Sequence, residues 1–155
     1  MKPVTVSIEV PNPAPQVYEF LEVLGNHERF MDHFMIDWEL SGPPRGVGAK
    51  ANVRVKATAE KDWTDVTVIE TDPDRRLVEE TVGGPRGKRH TRGTYRLEGL
   101  PGGGTRITFA LEFMALPPGE RLMGPLQRAY VRRVNGKGMK RLAEELAKLP
   151  PPGSG

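Results

Sequence analysis

The sequence predicts an α+β domain: a seven-stranded, curved antiparallel sheet around one long C-terminal helix, with two short helices after the first strand. Three observations predict it. Apolar and polar residues alternate in four runs, the period of a strand with one buried face, and three further segments between turn signals read as strands. Eighteen glycines and fifteen prolines punctuate those runs in a chain whose hydrophobic residues make up 37%, a mixture that suits many strands joined by turns. The last third then changes to a helical period.

At 155 residues the chain fits one domain able to bury a core. That domain is expected over residues 1–149, and the Pro-Pro-Pro-Gly-Ser-Gly segment at 150–155, with nothing to bury, as a disordered tail. There is no cysteine, so disulfides, thiolate nucleophiles and cysteine metal sites are excluded, and a reducing, cytoplasmic setting is expected. The N-terminus alternates instead of forming a signal-like apolar run, and no stretch approaches the ~20 apolar residues of a membrane span. A formal charge of +3 says little about partners by itself.

Val4, Val6, Ile8 and Val10 alternate with polar residues and mark the first strand. Asn12 is placed to cap a helix through the following prolines, whose missing amides suit a first helical turn. Val17, Phe20, Leu21 and Leu24 carry that helix to Gly25, and Asn26 is placed to cap a second one through about His33. Phe34, Ile36, Trp38 and Leu40 form the inward face of strand two; Ala49, Ala51, Val53, Val55 and Ala57 form that of strand three. Residues 63–70 and 77–82 are strands on either side of the Asp72-Pro73-Asp74 turn, and the pattern leaves their inward parity open. Residues 89–98 and 106–114 make the last pair, with Ile107, Phe109, Leu111 and Phe113 on one face. After Gly119 a helix runs to about Leu149 with Leu122, Leu126, Tyr130, Val134, Leu142 and Leu146 on one stripe, and Gly124-Pro125 is a point where its regular part can start. Gly136 and Gly138 inside it each cost about 1 kcal/mol relative to alanine; close packing against the two short helices is the favoured reason, and a flexible point that lets the helix lift as a ligand enters is the alternative.

This order resembles a known family. Asn12-Pro13-Ala14-Pro15-Gln16-Val17-Tyr18-Glu19-Phe20-Leu21, Ser41-Gly42-Pro43-Pro44-Arg45-Gly46-Val47-Gly48 and Glu70-Thr71-Asp72-Pro73-Asp74-Arg75-Arg76-Leu77 look like the polyketide cyclase/dehydrase branch of the START-like (SRPBCC) helix-grip superfamily, over about residues 3–148. The resemblance implies the helix-grip fold and a ligand-holding cavity. Its motifs are turns and caps, so they transfer no chemistry, and members include lipid and hormone carriers as well as aromatase/cyclases.

The expected cavity wall follows from parity: Phe34, Ile36, Trp38, Val53, Val55, Tyr95, Phe109, Leu111 and Phe113 from the sheet, with Leu126, Tyr130 and Val134 from the helix. The expected partner is a small hydrophobic molecule, lipid-like, aromatic or polyketide, with no cofactor, and a homodimer is left open. Ordinary core packing is the competing account of each residue taken singly. The rival function is a cyclase, aromatase or dehydratase working by acid–base chemistry without metal or covalent nucleophile, with Tyr95 or Tyr130 donating a proton and Glu80 accepting one. Ser7, Ser41 and Ser154 do not suit a serine triad, and His27, His33 and His90 are too scattered for zinc. The Gly83–Arg89 loop is a residue short of a phosphate loop and is expected to be a hairpin turn. By parity with Tyr95, His90 and Arg92 point outward unless a bulge intervenes. A third reading has the basic hairpin, with Arg86, Lys88, Arg89, His90 and Arg92, and the helix face, with Arg128, Arg132, Arg133, Lys137, Lys140 and Arg141, bind an anionic surface or nucleic acid. Without interleaved aromatics or a known motif, nucleic acid is not expected as a partner.

Overall fold

The computed structural model describes residues 2–56, 62–117, 119 and 124–152. Strand β1 (Val4–Val10) leads into helix α1 (Ala14–Glu22), a 3₁₀ turn at Leu24–His27 and the single-turn helix α2 (Glu28–Met31). Strands β2 (Met35–Ser41), β3 (Lys50–Val55), β4 (Asp62–Asp72), β5 (Arg76–Gly83), β6 (Arg89–Gly99) and β7 (Thr105–Ala115) follow, and helix α3 (Gly124–Ala147) closes the chain. The seven strands form one antiparallel sheet ordered β1-β7-β6-β5-β4-β3-β2. Consecutive strands are neighbours except β1 and β2, which lie at opposite edges, and β7 returns to pair with β1, Val4 opposite Leu111 and Val10 opposite Thr105. Helix α3 lies against β1 and α2, so the sheet's apolar face is covered as its alternation requires. Ala57 and Leu122, expected on strand three and on the helical stripe, lie outside the described residues, as do residues 153–155 of the expected tail.

Several local expectations are corrected. Asn12 does not cap α1, whose N-cap is Pro13. Its amide instead donates to Gln16 Oε1 at 2.8 Å and to the Leu146 carbonyl at 3.0 Å, tying α1 to the end of α3. Helix α1 stops at Glu22 rather than Gly25, because Val23 turns extended and bridges to Arg45. Asn26 does not cap α2, which runs only from Glu28 to Met31; its amide donates to the Phe20 carbonyl at 2.9 Å. The chain beyond Leu149 is not wholly loose, since the Pro150 carbonyl accepts from Gln16 Nε2 at 2.8 Å.

The two helical glycines part company. A Cβ on Gly138 would stand 2.7 Å from Met31 Sδ, so the expected packing against α2 is found there. At Gly136 the space is open, so packing does not explain that residue. The α2–α3 contact is reinforced by His33, whose Nε2 lies 3.0 Å from the Val134 carbonyl while its Nδ1 lies 2.8 Å from Arg141 Nη1. Burial and the nearby Arg141 and Lys137 charges hold the His33 pKa below its ordinary value, against the opposing pull of the Val134 carbonyl.

Candidate functional site: an internal cavity

Between the sheet and the N-terminal half of α3 lies a cavity of about 600 Å³. A single helix laid on a twisted sheet fills the space where the two converge and leaves a hollow where they diverge. Ten of the expected wall residues line it: Phe34, Trp38, Val55, Tyr95, Phe109, Leu111 and Phe113 from the sheet side, and Leu126, Tyr130 and Val134 from α3. Tyr130 meets Phe34 edge to face, ring centroids 6.1 Å apart. Deeper in, the Tyr95 and Phe109 rings meet at a tilt of 54°, centroids 4.6 Å apart. Gly93 makes this possible, since a Cβ there would come within 2.8 Å of the Phe109 ring.

Ile36 and Val53 lie elsewhere. A bulge between Ile36 and Glu39 sets Asp37 at a φ of 55° and places two β2 residues against one of β3. Ile36 is thereby put opposite Arg54 on the outer face, while Met35, opposite Val55, and Trp38 take the inner one. The Trp38 indole N–H donates to the Met35 carbonyl at 2.8 Å, which closes the bulge. Val53 points inward but is sealed in the packed core.

The open parity of β5 is settled by its pairing. Leu77 stands opposite Tyr95, Glu79 opposite Gly93 and Thr81 opposite Thr91, so odd-numbered residues of 77–83 share the inward face of Tyr95. Glu80, the expected proton acceptor, faces outward instead. Its Oε1 accepts from Arg92 Nη2 at 2.9 Å and lies 3.6 Å from His90 Nε2. The Arg92 hydrogen bond, with the charges of Arg92 and His90, holds its carboxyl below the usual range. The carboxyl inside the cavity belongs to Glu79, which parity alone had left unassigned.

Glu79 is only 7% exposed and its Oε2 is buried without a hydrogen-bond partner. Opposite it, 3.6 Å away, is Nδ1 of His27, carried on the 3₁₀ turn and 2% exposed. His27 Nε2 lies 2.7 Å from the Leu21 carbonyl. A carbonyl can only accept, so Nε2 carries the proton and the neutral ring turns the lone pair of Nδ1 toward Glu79. Burial drives both groups toward neutrality: the His27 pKa is lowered to about 4 and that of Glu79 raised to about 7. Tyr95, whose ring meets His27 edge on at 5.6 Å, has its phenol pKa pushed up by burial and by the Glu79 charge. The same wall carries Thr64, Thr81 and Thr91, the last two joined by a hydroxyl–hydroxyl hydrogen bond, and Arg89.

Parity-based reading missed His27, Glu79 and the threonines because it looked for apolar residues. A register count would have found three of them. Starting from inward Tyr95, six residues back reach Arg89, which pairs with Gly83, and two-residue steps back along β5 reach Thr81 and Glu79. His27 carries no comparable signal, since it sits on an irregular turn. Of the basic residues considered for an anionic surface, Arg92 pairs with Glu80, Arg128 donates to the carbonyls of Lys2 and Pro3, and Arg141 contacts Asp32, His33 and the Arg29 carbonyl. Among the described residues no helix is long and apolar enough to cross a membrane.

A family model described as polyketide cyclase / dehydrase and lipid transport matches residues 1–147. No curated protein matches the sequence. Solved structures with the same fold include a START superfamily protein from Mycobacterium smegmatis, 11% identical, with a TM-score of 0.76 over 97% of this chain and 100% of that one. Zhui aromatase/cyclase from a Streptomyces species is 18% identical, with a TM-score of 0.75 over 95% of this chain and 94% of that one. Norcoclaurine synthase from Thalictrum flavum is 13% identical, with a TM-score of 0.68 over 96% and 87%.

Proposed function

The chain belongs to the polyketide cyclase/dehydrase and lipid transport family, and from that premise we propose that it binds a small hydrophobic molecule, lipid-like, aromatic or polyketide, inside the cavity. One observation carries the reading: a hollow of about 600 Å³ walled mainly by Phe, Leu, Val, Met and Trp side chains. That volume falls within the roughly 300–1,000 Å³ of small-molecule sites. An apolar guest displaces water from such a wall and gains about 25 cal/mol for each Å² removed from solvent. The test is titration with neutral, environment-sensitive N-phenylnaphthylamine. Its fluorescence is expected to rise and shift to the blue with the native protein, and to rise less with Leu111→Trp, whose larger ring narrows the hollow from β7. Equal binding by both proteins, or by neither, overturns the reading.

A second reading, catalysis in the same cavity, is favoured by the His27–Glu79 pair. A carboxyl whose pKa is raised to about 7 divides between acid and base near neutral pH, the condition under which general acid–base catalysis is most effective. Glu79 thereby takes the role first considered for Glu80, with Tyr95 beside it as a proton donor. Incubation of a methyl ketone with the protein in heavy water tests this. Glu79 would remove a proton from the carbon beside the carbonyl and return a deuteron, and the exchange should vanish in Glu79→Gln; exchange no faster than in buffer ends the catalytic reading.

A further inference from the structure

The cavity's inner wall holds hydrogen-bond donors that the protein leaves unpaired. Thr64 Oγ1 is buried without a partner. Thr81 and Thr91 share one hydrogen bond, which commits one hydroxyl hydrogen and leaves the other. Glu79 completes the set by geometry. The Leu21 carbonyl fixes the His27 proton on Nε2, so Nδ1 and Glu79 Oε2 would oppose lone pair to lone pair at 3.6 Å were the carboxyl ionised. A proton on the carboxyl removes that repulsion, yet 3.6 Å is too long for His27 to take it in a hydrogen bond. The acid hydrogen therefore remains available to a guest.

We propose that Glu79 presents a carboxylic-acid proton to a carbonyl oxygen of the bound molecule, so that the cavity selects neutral ketones, aldehydes or esters over hydrocarbons and carboxylates. This rests on the ligand-binding reading and names the chemistry of that guest. Thr81 lies two residues along β5 from Glu79, about 7 Å toward the Arg89 end. A second acceptor at that spacing meets the threonine pair. A carboxylate at the deep end would meet Glu79 with no buried cation beside it, a costly arrangement. A hydrocarbon would leave the Glu79 and Thr64 groups unsatisfied.

The other titratable or charged side chains facing the cavity are His27 from the 3₁₀ turn, Tyr95 and Arg89 from β6 and Tyr130 from α3; the described lining residues of β3, β4 and β7 add none. Glu79 is thus the group whose titration a carbonyl guest senses, and ionisation converts its donor into an acceptor.

The experiment compares acetylnaphthalene, ethylnaphthalene and naphthoate, which share a ring system and differ in one group, by calorimetric or fluorescence titration of the full chain. At about pH 6 the ketone should bind about tenfold more tightly than the hydrocarbon, the effect of one good hydrogen bond. That advantage should fall about tenfold by about pH 8 as Glu79 ionises. Glu79→Gln keeps an N–H donor and cannot titrate, so it should hold the ketone preference level across the range. Equal affinities for ketone and hydrocarbon, a level profile in the native protein, an unchanged profile in Glu79→Gln, or tightest binding of naphthoate would each overturn the proposal. Failure of all three compounds to bind at any pH overturns the underlying ligand-binding reading as well.

Discussion

The two ends of α3 carry the same kind of apolar stripe and meet different fates. At the C-terminal end Leu142 and Leu146 are completely buried, in a core that also takes Val17, Leu21 and Leu24 from the α1 region, Phe30 from α2 and Ile107 from β7. At the N-terminal end Leu126 is 71% exposed and Tyr130 44%, with the cavity beneath them. Periodicity cannot distinguish these ends, because it reports which face of a helix is apolar and says nothing of what lies opposite. What lies opposite differs: α1 and α2 pack into the core at one end, and at the other the sheet, with His27, Met31 and Phe34, walls a hollow. A helix stripe is thus a statement about direction, and only the facing layer converts it into packing or into a roof.

The largest expected effect tests that contrast directly. Leu142→Ala should cost about 2–5 kcal/mol of stability, as deletion of a fully buried leucine does, whereas Leu126→Ala should stay within about 0.5 kcal/mol. Urea denaturation of both variants measures it, and comparable losses would mean that the two ends are equally packed.

The next prediction concerns the buried pair in the hollow end. In the unfolded chain His27 titrates near 6.5 and Glu79 near 4.5; in the folded one they titrate near 4 and near 7. The depressed His27 contributes stability that is present above about pH 6.5 and lost as pH falls through about 4. The raised Glu79 contributes stability that is present below about 4.5 and lost as pH rises through about 7. Between 4.5 and 6.5 folding moves one proton from His27 to Glu79 without changing the number bound, so the pair's two slopes cancel. Glu79→Gln removes one slope. Its stability should climb by about 3 kcal/mol between about pH 4 and pH 6.5, relative to the native protein's profile. Parallel profiles would show that the two groups do not exchange their charges on folding.

The smallest effect sharpens the boundary between the two ends. Gly138→Ala should lower stability by about 1 kcal/mol, because the new methyl presses on Met31 Sδ. Gly136→Ala, in open space, should raise it by about 1 kcal/mol. Thermal melts of the two variants should shift in opposite directions; shifts of the same sign would place both glycines in one environment.

Much of this was readable in the residues. The alternating runs, the strand segments set between turns and the closing stripe predict the sheet and α3, because burial of one face is what strand and helix periods record. The cavity wall was legible wherever a strand kept its alternation, as in Phe109, Leu111 and Phe113. It failed at Ile36, where an inserted residue reversed the face, and at Glu80, where β5 offers valines on the outer side and a carboxylate on the inner. Hydrophobicity points the wrong way there, and only the register through the hairpin to Tyr95 corrects it. The capping roles of Asn12 and Asn26 failed for a different reason. Asn12 reaches the Leu146 carbonyl 134 residues away, a bond that leaves no trace in local sequence, and Asn26 turns back six residues to the Phe20 carbonyl at the end of α1 instead of forward to α2.

The kink at Asp37 matters beyond the wall it shapes. Strand β2 ends the strand order, so it offers backbone groups on its outer side to any other chain in solution. A regular strand there would be a template for edge-to-edge association. Asp37 breaks the ladder, and with Glu39 it puts charge along that margin. The bulge that turns Trp38 inward therefore also makes this edge a poorer template for strand addition.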